Sequence, residues 1–136
     1  MAKFQFEVKA KENSVSSGVA LATEIQLSKG DLLTVNVSPD DTWRFATGNW
    51  DSTSNANGLG NPLGSDCGLF TKNGFSFIIG SLVGSLDDGK TFFPIGTRLE
   101  MTILGAGQLS MFCWDCNNYD NDGSVIATVA VYKRAN

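Results

Sequence analysis

The densest group of metal-binding side chains lies near the end of the chain, at residues 115–123 (Asp-Cys-Asn-Asn-Tyr-Asp-Asn-Asp-Gly). Six of its first eight residues carry a carboxylate or an amide, and none is Lys or Arg. Neighbouring carboxylates repel one another unless a cation or full solvation relieves them. Calcium takes about six to eight oxygen ligands from carboxylates, amides and main-chain carbonyls, all of which this run offers. The run therefore predicts a calcium site.

Two other interpretations of the same run stay open at this point. The spacing of Asn118, Asp120, Asp122 and Gly123 matches the start of an EF-hand loop, but the twelfth position is Val129 instead of the bidentate Glu that such a loop needs. The other interpretation is a turn without metal, because Asn and Asp favour turns through local hydrogen bonds alone. The density of charge in the run favours the metal site.

A CxxC pair, Cys113 and Cys116, overlaps the start of this run. Residues three apart on an extended strand point to opposite faces, so the pair is poorly placed for redox chemistry. With one further cysteine and no histidine in the chain, a four-coordinate zinc site is one ligand short. We expect reduced thiols and ordinary core packing, with Met111 beside Cys113 on one face of a strand and Phe112 beside Trp114 on the other.

The composition excludes several classes of function. The chain of 136 residues has no histidine, which removes Ser-His-Asp, Cys-His and His-ligated metal chemistry. Its net charge is −4 and its basic residues lie mostly near the ends, so we expect no nucleic-acid partner. No apolar run approaches the roughly 20 residues of a membrane-spanning helix. With no visible signal peptide, we expect a cytoplasmic protein, or one released from the cell without a signal.

One enzymatic alternative needs no histidine, because a glycoside hydrolase works with a pair of carboxylates. No second carboxylate is clearly placed against Asp115, and the glutamates occupy ordinary polar positions in or beside predicted strands. We therefore expect a protein that is not an enzyme. The glutamates considered are Glu7, Glu12, Glu24 and Glu100.

Short alternating segments separated by Gly, Asn, Asp, Ser or Pro predict an all-β fold in one domain, residues 1–136. In the first segment Phe4, Phe6, Val8 and Ala10 share one face of an extended strand. About nine strands are predicted, a number that suits a β-sandwich. They cover residues 3–11, 19–27, 32–37, 42–46, 75–83, 91–95, 98–104, 109–115 and 124–132.

The segment 47–68 is rich in Gly, Asn and Ser and is too long for a hairpin turn. It predicts an ordered functional loop, with a flexible surface excursion as the alternative. Trp43 and Trp50 flank it. We expect Trp43 to lie in the core, whereas Trp50 suits the core and a platform for a sugar ring equally well.

With these features in place, the chain resembles the soluble bacterial galactose-binding lectins of the PA-I (LecA-like) type. The order of the matching segments and the terminal Asp/Asn loop carry this resemblance more than any one segment does. The segments are Glu24 to Val35, Cys67-Gly68-Leu69, Phe77-Ile78-Ile79-Gly80, Phe93-Pro94-Ile95-Gly96 and Asp115 to Tyr132.

The resemblance implies a jelly-roll β-sandwich of two antiparallel sheets that binds one calcium ion per subunit. In such lectins the ion contacts two adjacent sugar hydroxyls, and the subunits form homotetramers; a dimer is the other assembly we consider. The family holds its ion with an Asp, two Asn side chains and two main-chain carbonyls. The matching positions here are Asp115, Asn121 and Asp122 for the side chains, Asn118 or Tyr119 for one carbonyl, and Ala46 or Thr47 for the other.

Two departures from the family pattern concern the ligands. Asp122 stands where the family has Asn, which adds a negative charge beside the ion. The His and Gln that contact the sugar in the family have no counterpart, and Asn61 and Ser65 or Asp66 occupy that region. We expect a calcium-dependent lectin for galactose-type sugars on glycans, with Asp115 and Asn121 at the sugar and Asn61, Asp66 and Trp50 shaping its choice. The alternative is a structural or adhesive β-sandwich, with calcium or no metal in the loop and no sugar bound.

Overall fold

The chain forms an all-β fold, as the sequence predicts. A computed structural model describes residues 2–47, 50–59 and 69–135, and these ranges contain twelve β-strands and no helix. The strands are β1 (Ala2–Lys9), β2 (Leu21–Leu27), β3 (Leu32–Asn36), β4 (Trp43–Thr47), β5 (Trp50–Ser54), β6 (Leu69–Lys72), β7 (Phe75–Ile78), β8 (Leu82–Ser85), β9 (Phe93–Pro94), β10 (Arg98–Thr102), β11 (Gly107–Cys113) and β12 (Asn121–Tyr132).

Two antiparallel sheets enclose the main core. One has six strands in the order β10-β3-β12-β4-β5, with β1 also paired to β12. The other has four strands in the order β2-β11-β8-β9, and β6 and β7 form a separate hairpin. Buried side chains from both sheets meet in one cluster, including Val129 of β12, Leu33 of β3 and Met111 of β11. This arrangement confirms the predicted β-sandwich.

The longest strand, β12, organises the six-stranded sheet. Its residues Val125, Ala127, Val129 and Val131 are buried in the core, because alternate side chains of a strand share one face. One edge of β12 pairs with β1 along residues 124–131. The other edge is shared by two strands, since β4 pairs with its first residues and β3 with its last.

Strand β11 is buried on both faces from Leu109 to Cys113, which explains why apolar residues follow one another from Met111 to Cys113. Met111 and Cys113 belong to the main core, whereas Phe112 and Trp114, the residue after the strand, belong to a second cluster. The hairpin of β6 and β7 covers this second cluster with aromatic rings, and the ring of Phe77 lies 4.9 Å from that of Trp114, edge to face. The predicted division of these side chains between two faces is confirmed.

Four strand predictions need correction. Strand β6 (Leu69–Lys72) was not predicted at all. Residues 75–83 form two strands instead of one, because Gly80, with a φ of 91°, turns the chain between β7 and β8. The segment 47–68 is not wholly loop, since β5 lies within it. The last strand begins at Asn121, three residues before its predicted start. At the N-terminus Phe4 shares the predicted inner face but is exposed near the end of its strand.

Within the ranges that the structure describes, no helix is long and apolar enough to cross a membrane.

Candidate functional site

The Asp/Asn run forms the connection between β11 and β12, and Trp114 fixes where it begins. The main-chain N–H of Trp114 donates to the carbonyl of Ser81 at 2.9 Å, and its carbonyl accepts from the N–H of Gly80 at 2.8 Å. Its indole Nε1 donates to the carbonyl of Phe70 at 2.7 Å. The fully buried tryptophan is therefore held by hydrogen bonds of its main chain and its side chain. These bonds fix the position at which the loop begins with Asp115.

Asp115 is a buried carboxylate, with only 5% of the residue exposed. Burial raises the pKa of its carboxyl above the usual value, and the side chain of Asn121 and the N–H groups of Cys116 and Asn117 oppose that shift. The N–H of Cys116 donates to Asp115 Oδ1 at 2.7 Å. Burial thus disfavours the ionised carboxylate, and a bound cation would favour it.

Asn121, the first residue of β12, supplies a second buried oxygen. Its Nδ2 donates to the carbonyl of Ala10 at 2.9 Å. Because that carbonyl only accepts hydrogen bonds, this contact fixes which end of the amide is nitrogen. The remaining atom, Asn121 Oδ1, is buried and has no hydrogen-bond partner among the described residues. An unsatisfied buried acceptor costs about 1–3 kcal/mol, which a cation ligated by this oxygen would offset.

Asn118 fastens the same loop to the connection between β1 and β2. Its Nδ2 donates to the carbonyls of Lys11 at 3.0 Å and Ser17 at 3.4 Å. Its own carbonyl accepts from the N–H of Asn121 at 3.3 Å. The side chain of Asn118 is therefore engaged in structure, which leaves its carbonyl as the atom relevant to an ion.

The connection between β1 and β2 forms the base of the site, and sequence reasoning missed it. It binds along the end of β11, where the N–H of Cys113 donates to Asn13 at 2.8 Å and its carbonyl accepts from Val15 at 2.9 Å. Gly18 allows the turn to close, because a Cβ there would lie 2.5 Å from the carbonyl oxygen of Ser14. Main-chain acceptors of this kind have no residue signature, so no pattern in the sequence points to them.

Two other predicted ligands lie on the surface of the same loop and strand. Asp122 is exposed and pairs across to Arg44 of β4, on the opposite side of β12 from Asn121. Tyr119 is 87% exposed, and its N–H donates to Asn117 Oδ1 at 3.3 Å. Asp122 as a ligand, and the carbonyl of Tyr119 as another, stay predictions.

The end of β4 reaches the same edge of the sandwich. Asn121 pairs with Phe45, so Thr47 lies two residues further along β4, beyond the start of β12. Thr47 pairs in turn with Trp50, the first residue of β5. This register agrees with a ligand carbonyl near Thr47, which also stays a prediction.

The structure tests the prediction for Trp43 but not those for the sugar-contacting residues. Trp43 lies in the core, 1% exposed, with its Nε1 donating to the carbonyl of Gly80 at 2.9 Å, as predicted. The predicted sugar-contacting residues Asn61, Ser65 and Asp66 lie outside the described residues.

The two described cysteines of the CxxC pair differ in environment. Cys113 is buried in the main core and Cys116 is exposed in the loop.

Within residues 2–47, 50–59 and 69–135, no three His, Cys, Asp or Glu side chains are grouped to hold a metal ion. A metal at this site would therefore depend on amide and main-chain oxygens beside Asp115, a donor set that suits calcium better than zinc.

Comparison with known proteins supports the fold. No family model matches the sequence, and no curated protein matches it. A solved structure described as "EclA N-terminal domain; PllA-like lectin" aligns with a TM-score of 0.63 and 20% sequence identity, over 96% of this chain and 96% of that chain. At this identity the likeness shows the fold alone, a β-sandwich shared with that domain. The more specific resemblance to the PA-I type stays a prediction.

Proposed function

We propose that this chain is a non-enzymatic, calcium-dependent carbohydrate-binding protein. One observation carries the proposal: Asn121 Oδ1 is buried without a hydrogen-bond partner in the described chain, next to the buried carboxylate of Asp115. Two oxygen acceptors without a cationic side chain in their loop form a suitable start for a calcium site. The lectin-like fold makes a saccharide the ligand to test first.

The side chains of Asp115 and Asn121 would hold the ion, together with two main-chain oxygens. These oxygens are the carbonyl of Asn118 or Tyr119 and the carbonyl near Thr47. Calcium supplies open coordination positions that two neighbouring sugar hydroxyls can fill. Asp115 provides the negative charge, while the bonds of Asn118 and Asn121 to the β1–β2 connection hold the loop in place.

Galactose-type sugars on glycans are the proposed ligands, with Trp50, Asn61 and Asp66 shaping the choice among them. A sugar bound at the surface buries little apolar area, so the affinity of one site is modest. Several identical sites on a homodimer or homotetramer would strengthen attachment to a glycan-bearing surface through effective concentration.

The proposal is tested by a glycan array probed with the full chain in calcium and again in EDTA. We expect binding to terminal galactosides in calcium and its loss after chelation. Asp115→Ala should abolish that binding while the circular dichroism spectrum stays that of a β-sandwich. Asp120→Ala is the matched control, because it removes a carboxylate from the same loop that is not assigned to the ion. Unchanged calcium-dependent binding by Asp115→Ala would overturn the site assignment.

A second function, a structural or adhesive β-sandwich with a calcium-stabilised loop, is favoured by one observation. Asn118 and Asn121 already bind main-chain carbonyls of the β1–β2 connection, so the loop has a structural role of its own. Under this function, calcium raises the melting temperature but no glycan binds in either buffer. The array and a melting curve together separate the two functions.

A further inference from the structure

We propose a second saccharide-binding site, independent of metal, on the outer face of the six-stranded sheet. A cleft of about 630 Å³ opens there. Its lining includes polar side chains from four strands and one loop, together with exposed apolar groups. The lining includes Gln5, Asn36, Pro39, Asp41, Arg98, Ile126 and Thr128.

The cleft exists because two strands share one edge of β12. Strand β3 ends at Asn36 and β4 begins at Trp43, so the middle of β12 lacks a strand partner on this side. The N–H of Ile126, which a further strand would otherwise bind, donates instead to Asp41 Oδ2 at 2.6 Å. This bond holds one carboxylate oxygen of Asp41 at the wall of the cleft and leaves the other available as an acceptor.

Four side chains cross the floor in a single row. Gln5 pairs with Thr128, Thr128 with Asn36, and Asn36 with Arg98, on the neighbouring strands β1, β12, β3 and β10. Three strand spacings of about 4.8 Å make the row about 14 Å long, which suits a short oligosaccharide better than a single ring. Within the described chain, the side chains of Gln5, Asn36 and Thr128 have no hydrogen-bond partner, so their amide and hydroxyl groups can bind a ligand.

The charges of the cleft favour a neutral ligand. Arg98 is neutralised by Glu100 of the same strand, at 2.6 Å, and the other charged side chain of the lining is the carboxylate of Asp41. Ile126, 39% exposed, and Pro39 add apolar surface beside the polar row. Amides, a hydroxyl, a carboxylate and an aliphatic patch together match the hydroxyls and C–H faces of a neutral oligosaccharide.

This cleft is separate from the proposed calcium site. Thr128 lies seven residues along β12 from Asn121, a distance of about 23 Å at 3.3 Å per residue. The two side chains also lie on opposite faces of the sheet, since Asn121 is buried inward and Thr128 lines the outer surface. Binding in the cleft therefore needs neither calcium nor Asp115, and its test can fail without affecting the proposed function.

The test uses the full chain in EDTA on an array of neutral and sialylated oligosaccharides. The best neutral binder is then titrated into ¹⁵N-labelled protein. We expect binding of neutral oligosaccharides without calcium, with amide shifts centred on Asn36 and Thr128. Thr128→Arg, which fills the cleft, should weaken this binding at least tenfold. Thr102→Arg, on the outer face but outside the cleft, and Asp115→Ala should leave it unchanged.

If Thr128→Arg fails to fold, the double variant Gln5→Ala with Asn36→Ala tests the same row without adding bulk. Three results would overturn the proposal. They are absence of neutral-glycan binding in EDTA, preference for sialylated glycans, and a self-association in sedimentation that Thr128→Arg abolishes, because the face would then bind a second copy of the chain. If every glycan that binds in calcium is released in EDTA, the result supports the proposed function and rejects this cleft.

Discussion

The side-chain nitrogen of Asn121 donates a 2.9 Å hydrogen bond to the main-chain oxygen of Ala10, 111 residues earlier in the chain. This contact joins the start of β12 to the residue that follows β1. It also settles the direction of the amide, so that the oxygen is the atom left buried without a partner in the described structure. The same bond therefore contributes to the fold and prepares an oxygen for a cation, which couples the stability of the chain to the proposed calcium site.

We expect calcium to reverse the stability order of the wild-type chain and Asp115→Asn. Burial raises the pKa of the Asp115 carboxyl, so near neutral pH its ionised form destabilises the metal-free folded chain. In EDTA, Asp115→Asn should therefore be the more stable protein. In calcium at about 100 times the dissociation constant, the wild type gains about 2.7 kcal/mol, while the variant gains little.

Urea unfolding in EDTA and in calcium measures both free energies of unfolding. Asp120→Asn is the control for loss of charge in this loop, and it should respond to calcium as the wild type does. If calcium stabilised Asp115→Asn as much as the wild type, Asp115 would not be a calcium ligand.

We expect Gly18→Ala to weaken both the fold and the calcium site. A Cβ at Gly18 would lie 2.5 Å from the carbonyl oxygen of Ser14 and 2.8 Å from that of Glu12, so the main chain of the β1–β2 connection must move. Overpacking of this kind costs about 1–3 kcal/mol. Because Asn118 binds the carbonyl of Ser17 in the same connection, the movement should also weaken calcium binding.

Gly105→Ala is the matched control for this substitution, since a Cβ there has nothing within 4 Å. Urea unfolding gives the loss of stability, and calorimetric titration with calcium gives the change in affinity. Equal stability of the two variants would show that the β1–β2 connection adapts without cost. Lost stability with unchanged calcium affinity would show that the connection does not position the loop.

Much of the sandwich could be predicted from the sequence because one face of most strands is buried. Alternation in β1, β3 and β12 follows directly from inward side chains such as Val8, Val35 and Val129. Strand β5 was missed since its sequence, Trp-Asp-Ser-Thr-Ser, has no apolar alternation and it lies at an edge of its sheet. The break between β7 and β8 was missed because it depends on the φ angle and the main-chain bond of Gly80.

The candidate site, like the fold, could be predicted from the sequence only in part. Asp115 and Asn121 could be selected from residue type, because carboxylates and amides concentrate in one run. The groups that hold this loop in place could not be predicted. They are the main-chain oxygens of Ala10 and Lys11, which accept hydrogen bonds from the amides of Asn121 and Asn118. The position of Asp122 depended on a strand boundary. A strand starting at Ser124 leaves residues 121 and 122 in a loop, whereas the observed start separates them onto two faces.

We expect Asp31 to make the stability of the fold depend on pH in acid. The N–H groups of Arg134 and Ser28, at 3.0 and 2.9 Å, and the ammonium of Lys133, at 3.0 Å, lower the pKa of Asp31 from 3.8 to about 2. Because the folded-state pKa is the lower one, this contribution is fully present above the unfolded value. It is lost as the pH falls from about 4 through about 2.

Urea unfolding of the wild type and Asp31→Asn at neutral pH and at about pH 2 measures this effect. The variant should be less stable at neutral pH, and the difference should shrink toward the acid limit. Asp40→Asn, at an exposed aspartate of the β3–β4 connection, is the control for removing a surface charge. A difference between wild type and Asp31→Asn that stays constant with pH would show that the carboxylate is not the source of the stability.

Cys113 and Cys116 should react with a thiol reagent at very different rates, although they form a CxxC pair. Burial, with a further contribution from the charge of Asp115, raises the pKa of the Cys113 thiol well above its ordinary value. Cys116 is exposed in the adjoining loop. A thiolate is the reactive form, and a buried thiol reacts only when the fold opens.

In a Cys67→Ser background, we expect one rapid reaction in native buffer and a second one only in urea. Cys116→Ser should remove the rapid reaction and keep the slow one. Two rapid reactions, or a disulfide formed under mild oxidation, would instead show that the pair is accessible and would restore a redox function for this part of the chain.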